Sequence, residues 1–333
     1  RGDCSPLKNI LILGASMLQL PAIQKAKALG YCVGVVDSDP DALGIRYADR
    51  YFCVSTIDTQ RVVEAAVEFQ ADGIMTLATD MPVRSIAVAC EALGLPGLSL
   101  DTAIKSTDKG EMMQAFKAHA VPHPWFIISS SIDQLDSMKD SIEYPCVVKP
   151  TDNSGSRGVV LVNDKNEMLG AYEYSQQQSR SGKIIVQEYL RGNEVSVEVV
   201  VRNGIPHALA VTDKITSGAP HFVEMGHSQP SKLGANTVVA ITDLACQAIK
   251  AVGIHDGPAH VEIMVTQSGP VMIELGARMG GDFIASHLVP LSTGVDMVEA
   301  VIHQSCGERF DLHRKHSKGS VAKYLEVPRG KIA

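Results

Sequence analysis

Two glutamates, Glu262 and Glu274, lie in a stretch of sequence that is typical of a β-hairpin. Apolar and polar residues alternate over 258–265, so Glu262 is expected on the polar face of the first strand. A three-residue turn at 267–269, with Gly269 in the left-handed conformation, sets a strand register that places Glu262 opposite Glu274. The apolar face is then expected to continue in the second strand through Val271, Ile273 and Leu275.

Two carboxylates that face each other across a hairpin repel, and this hairpin places no basic residue between them. A divalent cation bound by both would remove the repulsion, and carboxylate oxygens suit Mg²⁺, with Mn²⁺ as an alternative. Arg278 follows Glu274 by four residues, and its planar guanidinium can bind phosphate or carboxylate oxygens in pairs. The pattern predicts a magnesium site beside a phosphorylated, anionic intermediate. An ordinary solvent-exposed position remains the alternative for either glutamate taken alone.

Lys149 ends an apolar strand immediately before a polar, glycine-rich loop at 151–158. Glycine allows backbone amides to converge on phosphate oxygens, and serine hydroxyls add further donors. The loop is therefore predicted to close over a polyphosphate whose charge Lys149 balances. A surface turn beside a snorkelling lysine is the alternative. The candidate phosphate-binding residues of the loop are Ser154, Gly155, Ser156 and Gly158.

Composition excludes several classes of protein. The 333 residues suit two or three domains, and the formal charge of -7, without a basic stripe, argues against a nucleic-acid-binding protein. The seven cysteines are scattered and form no Cys-x-x-Cys pair, as is usual in a reducing compartment. No apolar run approaches the roughly 20 residues that span a bilayer. We expect a cytoplasmic protein without nucleic-acid or membrane partners.

The first hundred residues alternate strand and helix signals, which predicts an open parallel α/β domain. Gly14 after the first strand and Asp37 after the second are reminiscent of a dinucleotide site, but the full Gly-x-Gly-x-x-Gly is absent, so a structural turn is the favoured interpretation. Beyond Pro96 the pattern predicts a mixed α+β region that includes a helix capped by Asp108.

A polar segment at 212–230 is predicted to be a long irregular loop, and such loops are often functional. Lys214, His221 and His227 are its candidate substrate-binding residues. Asp282 follows a pair of glycines and could bind an amine, although a helix cap is the alternative.

The order of these motifs resembles the ATP-grasp superfamily, and most closely its carboxylate–amine ligases of carbamoyl-phosphate-synthase-like, purine-biosynthetic and L-amino-acid-ligase type. The resemblance covers nearly the whole chain. It implies a pre-ATP-grasp α/β domain at 1–100, a small lobe with a glycine-rich lid at 101–188, and a large lobe with the metal and substrate sites at 189–333. The motifs are Lys109, the segment 144–150, the glycine-rich loop, 186–190, 192–194, 260–262 and 274–282.

The resemblance also implies roles for individual residues. Lys109 and Lys149 match the lysines that hold the nucleotide phosphates, and 153–158 matches the lid. Glu194 matches the acid that holds the ribose. The strand that binds adenine is matched by Gln187, Glu188 and Leu190. The metal-binding acids and the basic residue of the reaction centre are matched by Glu262, Glu274 and Arg278.

Two departures from the family pattern stand out. Gly276 occupies the position where the family usually has an asparagine that serves as a third metal ligand, and Gln187 stands where an acid is common. Members of the family also often continue past the position where this chain ends, at Ala333, so a terminal domain is expected to be short or missing.

The resemblance implies an ATP-dependent ligase that converts a carboxylate to an acyl phosphate and transfers it to an amine. An amino acid is expected as one substrate, because Arg278, Asp282 and His227 form a mixed acidic and basic set. Purine-pathway acids remain open, as does a homodimer. A non-catalytic ATP-binding regulatory module, motivated by Gly276, is a second hypothesis. An oxidoreductase that uses the first domain is a third.

Overall fold

The computed structural model describes residues 8–218 and 223–325, which form three β-sheets and the helices packed on them. Each of the three predicted regions contains one sheet within its described residues. The predicted order of an open parallel α/β region followed by a two-lobed mixed region is confirmed. The boundaries at 100 and 188 stay predictions.

The first sheet is parallel, with strand order β3-β2-β1-β4. Successive residues of β1 face opposite sides, so Leu11 packs with α2 and α3 while Ile12 packs with α1. Pro21 lies in the first turn of α1, where its missing N–H has no intrahelical partner to lose. The elements are β1 (Asn9–Leu13), α1 (Leu20–Ala28), β2 (Cys32–Asp37), β3 (Arg50–Cys53), α2 (Thr59–Phe69), β4 (Gly73–Met75) and α3 (Val83–Leu93).

Two helices, α4 (Leu100–Lys105) and α5 (Lys109–Ala118), lead to the second sheet. The Asp108 carboxylate caps α5 by accepting hydrogen bonds from the Gly110 and Glu111 amides, which confirms the predicted cap. The second sheet is antiparallel, with order β5-β8-β6-β7. Its elements are β5 (Phe126–Ser129), α6 (Ile132–Met138), β6 (Cys146–Pro150), β7 (Val160–Val162), α7 (Met168–Gln177) and β8 (Ile184–Glu188).

The third sheet is a six-stranded antiparallel sheet with order β13-β12-β9-β10-β11-β14. Its apolar face, which includes Val195, Val197 and Val199, packs on α8 and α5. The elements are β9 (Asn193–Arg202), β10 (Ile205–Thr216), β11 (Glu224–Gln229), α8 (Ala235–Val252), β12 (Gly257–Thr266), β13 (Gly269–Gly276), α9 (Val289–Thr293), α10 (Met297–Ser305) and β14 (Ser320–Lys323).

The hairpin of β12 and β13 corrects part of the sequence prediction. Glu262 does face Glu274, as predicted. The predicted three-residue turn is wrong, because Thr266 pairs with Gly269 and leaves a two-residue turn. Ile273 forms a β-bulge that restores the register at Glu274. Because the turn is shorter, Met272 pairs with Ile263 and faces the core. Val271 and Ile273, which were predicted on the apolar face, lie on the opposite face, and Ile273 lines a cleft.

The segment 212–230 is also more regular than predicted. Its two ends belong to β10 and β11, which pair antiparallel with Lys214 opposite His227. The strands were missed because their functional face is polar, which hides the alternation that marks a half-buried strand. The candidate residue His221 lies outside the described residues. Among the described residues, no helix combines the length and the apolar character needed to cross a bilayer.

Candidate active site

A cleft between the second and third sheets brings together most of the predicted site residues. Its lining includes Lys109, Lys149, Ser154, Gly155, Ser156, Gln187, Glu188, Leu190, Glu194, Lys214, Glu262 and Glu274. Arg278 lines an adjoining smaller cavity that also touches Glu262 and Glu274, the predicted metal ligands. His227 and Asp282 lie together next to the cleft, in contact with Glu224 of its lining.

Strand register explains why these side chains meet. Glu274 faces Glu262, and Glu262 faces Ser196 on the next strand, so the three lie in one row on the cleft face of the third sheet. His260 and Glu198 are paired in the adjacent row. Side chains of directly paired residues project from the same face of a sheet, so an alternating sequence on each strand is enough to build a polar patch.

Lys109 and Lys149 approach Glu274 from two different elements. The ammonium nitrogens lie 3.2 Å and 3.9 Å, respectively, from Glu274 Oε2, and Lys109 also donates to the Asn153 carbonyl at 2.7 Å. Burial, with the like charge of Lys109, lowers the pKa of Lys149 to about 8 although Glu274 opposes this. Burial also disfavours the charge on Lys109, but Glu274 and Asp80 outweigh it and raise its pKa. Bound phosphate would reduce the repulsion between the lysines.

Lys214 is buried among three carboxylates. Its ammonium lies 2.7 Å from Glu194, 2.8 Å from Glu224 and 3.1 Å from Glu262. Burial disfavours the charge, but these carboxylates outweigh it and raise the pKa of Lys214 well above its usual value. The hairpin itself supplies no basic residue between Glu262 and Glu274, as predicted. Lys109 and Lys214 nevertheless reach these carboxylates from other elements, so each has a cationic partner.

Glu198 and His260 hold Glu262, and the sequence analysis assigned neither a role of its own. His260 Nδ1 contacts Glu198 Oε1 at 2.5 Å, and its Nε2 contacts Glu262 Oε1 at 3.2 Å. Glu198 Oε2 accepts a hydrogen bond from the Gly280 amide at 2.9 Å. Burial disfavours the imidazolium, but Glu198 and Glu262 outweigh it and raise the pKa of His260 to about 9. A protonated His260 donates from both ring nitrogens and fixes one Glu262 oxygen.

The glycine-rich loop has an anchored base and an exposed tip. At its start, the Asp152 carboxylate accepts hydrogen bonds from the Ser179 hydroxyl and the Ser181 amide. At its end, Gly158 has a φ of +78° and a Cβ there would lie 2.8 Å from Pro150, so Gly158 forms the turn and is not part of the cleft lining. Gly158 was predicted to contact a ligand, but its place in the structure is in the turn. Ser154, Gly155 and Ser156 line the cleft.

The inner part of the cleft suits a planar base. Val147, Met264 and Ile273 supply apolar walls. Gln187 is 4% exposed, and its Nε2 has no hydrogen-bond partner among the described residues. A buried donor without a partner is costly, so a ligand acceptor at this position would complete it. The residues present therefore fit a purine nucleotide, and the paired carboxylates fit its divalent cation.

Arg278 is held by Asp80, which lies in the loop after β4 of the first domain. Nε donates to Asp80 Oδ1 at 3.0 Å and Nη2 to Oδ2 at 3.2 Å. Burial disfavours the carboxylate, but Arg278 outweighs it and lowers the pKa of Asp80. Asp80 was not among the site residues predicted from the sequence. A signal was available, because ligand sites of parallel sheets lie at the carboxyl ends of the strands and Asp80 follows the end of β4.

A third cluster consists of Glu224, His227 and Asp282. His227 is fully buried, and its Nε2 lies 3.3 Å from Glu224 Oε2 and 3.7 Å from Asp282 Oδ2. Burial disfavours the imidazolium, but the nearby carboxylates of Asp282 and Glu224 outweigh it and raise the pKa of His227. One nitrogen or oxygen atom from each of the three side chains lies within 4.8 Å of those from the other two. Lys214 links this cluster to the cleft through Glu224.

The partial dinucleotide pattern of the first domain is structural. The Asp37 carboxylate accepts hydrogen bonds from the Ala15 and Asp39 amides, at 2.7 Å and 2.9 Å. A Cβ at Gly14 would lie 2.9 Å from the Gln19 side chain. Gly14 and Asp37 therefore shape the turn after β1.

Residues 142–286 match the family model described as the ATP-grasp domain, so the chain contains an ATP-grasp domain and has the fold of that superfamily. The L-amino acid ligase from Bacillus licheniformis superposes with a TM-score of 0.85 at 26% identity, over 98% of this chain and 82% of that one. A phosphoribosylglycinamide synthetase from Anaerococcus prevotii has a TM-score of 0.78 at 22% identity over 96% and 81%, which shows the shared fold.

Curated relatives include ligases. The alanine–anticapsin ligase of Bacillus subtilis is 25% identical over 76% of this chain and 58% of its own length. The human carnosine synthase 1 is 24% identical over 91% of this chain and 40% of its own length. An uncharacterised protein, y4rH of Sinorhizobium fredii, is 26% identical over 77% and 53%. The chain thus spans about half the length of the curated relatives it matches.

Proposed function

We propose that this chain is an ATP-dependent carboxylate–amine ligase that forms an acyl phosphate and takes an amino acid as one substrate. The observation that carries the proposal is the meeting of two lysines, the buried Lys149 and the partly buried Lys109, with the facing carboxylates Glu262 and Glu274 in one cleft. Lysines balance the charge of a transferred phosphoryl group, and carboxylates hold its metal.

The nucleotide would lie along the cleft. Gln187 and the backbone of Glu188 and Leu190 would contact adenine, and Glu194 the ribose hydroxyls. The lid residues Ser154, Gly155 and Ser156 would close over the phosphates, which Lys109 and Lys149 contact. Supporting this assignment, all nine residues line the same cleft.

Glu262 and Glu274 would hold Mg²⁺, which when bound neutralises phosphate charge and aligns the phosphates. The protein's part is to orient these carboxylates. His260 and Lys214 do this for Glu262, and Lys109 for Glu274.

The proposed reaction has two steps. A substrate carboxylate oxygen attacks the terminal phosphorus of ATP, the bond to the bridging oxygen breaks, and ADP leaves. The amine nitrogen then attacks the acyl carbon, loses a proton, and the carbon–oxygen bond breaks to release phosphate. Lys149 and Arg278 would balance the charge of the transferred group. Closure of the lid would exclude water, which would otherwise hydrolyse the acyl phosphate.

The acceptor or donor amino acid would lie towards His227 and Asp282, with Lys214 and Arg278 bordering its pocket. A cationic amine suits the carboxylates of Glu224 and Asp282, and Arg278 suits a carboxylate. The names of two similar proteins, an L-amino acid ligase and an alanine–anticapsin ligase, support an amino-acid substrate.

A non-catalytic ATP-binding module is the second candidate, because Gly276 leaves the metal site one side chain short of the family pattern. The two functions are distinguished by ADP release from magnesium-ATP, measured with single amino acids, amino-acid pairs and small carboxylates. The ligase requires release that depends on one carboxylate and rises with one amine. ATP binding by calorimetry without ADP release in any mixture would favour the module.

A further inference from the structure

The contact between Asp80 and Arg278 joins the first domain to the reaction centre. Both side chains line the cavity that also touches Glu262, Glu274 and Lys109. Asp80 binds Arg278 through both carboxylate oxygens, and this bidentate geometry fixes the plane of the guanidinium group as well as its position.

The contact leaves part of Arg278 available. A guanidinium carries five N–H donors. Asp80 takes one from Nε and one from Nη2, and the Met279 carbonyl takes one from Nη1 at 3.1 Å. Among the described residues, one N–H on each Nη atom has no partner. Donors on both Nη atoms allow a guanidinium to bind two oxygens of one anion.

The loop that carries Asp80 is itself anchored. The Leu77 carbonyl accepts a hydrogen bond from the Met279 amide at 2.9 Å, directly beside Arg278. The fully buried Gln19 accepts from the Leu77 amide at 2.6 Å and donates to the Thr79 hydroxyl at 3.2 Å. Asp80 therefore lies on a fixed loop. In this respect the Asp80–Arg278 ion pair differs from a surface ion pair between two freely moving side chains.

Gly276 completes this arrangement. A Cβ at position 276 would lie 2.7 Å from Asp80 Oδ1 and 3.1 Å from Arg278 Nε. The first of these distances is shorter than real Cβ atoms show. Any side chain there would displace the ion pair. This chain thus lacks the family's asparagine at position 276 and has the Asp80 carboxylate in the adjoining space.

We propose that Asp80 is a positioning residue that holds Arg278 as a preformed anion-binding fork beside the metal carboxylates, and that Gly276 makes room for this pair. The anion it would receive is a carboxylate or acyl phosphate of the reaction, so this proposal rests on the proposed function. Asp80 acts through Arg278 and does not contact the reacting atoms. Orientation of a charged group before the substrate arrives avoids reorganisation during the reaction.

Two measurements test the proposal independently of each other. The first is the ¹⁵N–¹H signal of the Arg278 Nε–H, assigned by its loss in Arg278→Lys. In the unmodified protein we expect a signal that exchanges slowly with water, because Asp80 accepts from this group. Asp80→Asn and Gly276→Asn should shift it or make it exchange faster. Glu68→Gln, which breaks an exposed ion pair with Arg50 in the same domain, is the matched control and should leave it unchanged.

The second measurement is steady-state ADP formation. Asp80→Asn and Gly276→Asn should lower kcat at least about tenfold, the scale on which a misplaced catalytic group acts, with magnesium-ATP affinity within about twofold of the unmodified protein. Asp80→Asn made on top of Arg278→Lys should cause no further loss, because the group it positions is already gone.

Unchanged kcat in Asp80→Asn, or a full additional loss in the double variant, would overturn the proposal. So would an Arg278 signal that is insensitive to Asp80→Asn. Loss of magnesium-ATP affinity in Asp80→Asn alone would indicate misfolding, in which case Gly276→Asn decides. Failure of the unmodified protein to form ADP in any substrate mixture would instead contradict the proposed function, and the Arg278 signal would still test the positioning role.

Discussion

Lys109 Nζ lies 3.2 Å from Glu274 Oε2, and this ion pair joins the first residue of α5 to the edge strand β13. The contact places a partly buried cation and a predicted metal ligand side by side. When ATP binds, Lys109 would contact phosphate and Glu274 would contact the metal in place of each other.

Removal of the Glu274 charge should therefore abolish turnover. In Glu274→Gln we expect substrate-dependent ADP formation to fall at least about a hundredfold, because one of two metal carboxylates is lost. The far-ultraviolet circular dichroism should be unchanged. Glu173→Gln, on the exposed face of α7, serves as the control and should keep full activity. Retained turnover in Glu274→Gln would remove Glu274 from the metal site.

The buried amide of Gln187 predicts opposite effects on stability and on binding. Gln187→Leu removes a donor that has no partner among the described residues, so thermal stability without nucleotide should stay constant or rise. The affinity for magnesium-ATP should fall about three- to tenfold, because one hydrogen bond to the base is lost. Differential scanning fluorimetry and calorimetry measure the two effects. Equal ATP affinity would show that Gln187 does not contact the base.

The buried ammonium of Lys214 forms ion pairs with three carboxylates, so the loss of Lys214 should destabilise the fold. For Lys214→Met we expect a decrease of about 3–5 kcal/mol in the free energy of unfolding at neutral pH, the usual cost of leaving buried charges unpaired. Urea denaturation measures it. The deficit should shrink as the pH falls, because the carboxylates then become protonated. A variant as stable as the unmodified protein at pH 7 would contradict this account of Lys214.

His227 should make stability depend on pH in a defined direction. Its pKa is raised from 6.5 in the folded state, so the contribution of its charged form is complete below pH 6.5 and is lost as the pH rises through the higher folded-state value. The stability difference between the unmodified protein and His227→Gln should therefore decrease as the pH rises above 6.5. Urea denaturation of both proteins at a series of pH values tests this. A difference that grows with pH would show that His227 is not charged at neutral pH.

Much of the fold could be predicted because local sequence and final structure agree. The cap at Asp108 and the alternation in β12 depend on neighbouring residues only. The facing of Glu262 and Glu274 was also predicted correctly, but through a turn one residue too long. The bulge at Ile273 compensated for that error. A bulge has no strong signature in an apolar run, so it could not be read from the sequence, and the wrong turn length placed Met272 on the wrong face.

Contacts between residues that are distant in the sequence explain what else was missed. Asp80 reaches Arg278 from 198 residues away in the sequence, and Glu198 reaches His260 from the neighbouring strand. Neither pairing follows from spacing along the chain, because sheet order decides it. Gly276 appeared in the sequence only as a missing ligand, whereas the structure shows that its Cβ would collide with Asp80.

The most direct test of the ligase proposal follows one oxygen atom. A substrate amino acid identified by ADP release, labelled with ¹⁸O in its carboxylate, is incubated with magnesium-ATP and the amine, and the released phosphate is analysed by mass spectrometry. An acyl-phosphate route transfers one ¹⁸O from each reacting carboxylate to phosphate, so phosphate with one ¹⁸O should form in the same amount as ADP. ADP and phosphate released without ¹⁸O would contradict the account, because the carboxylate would then never have attacked the phosphorus.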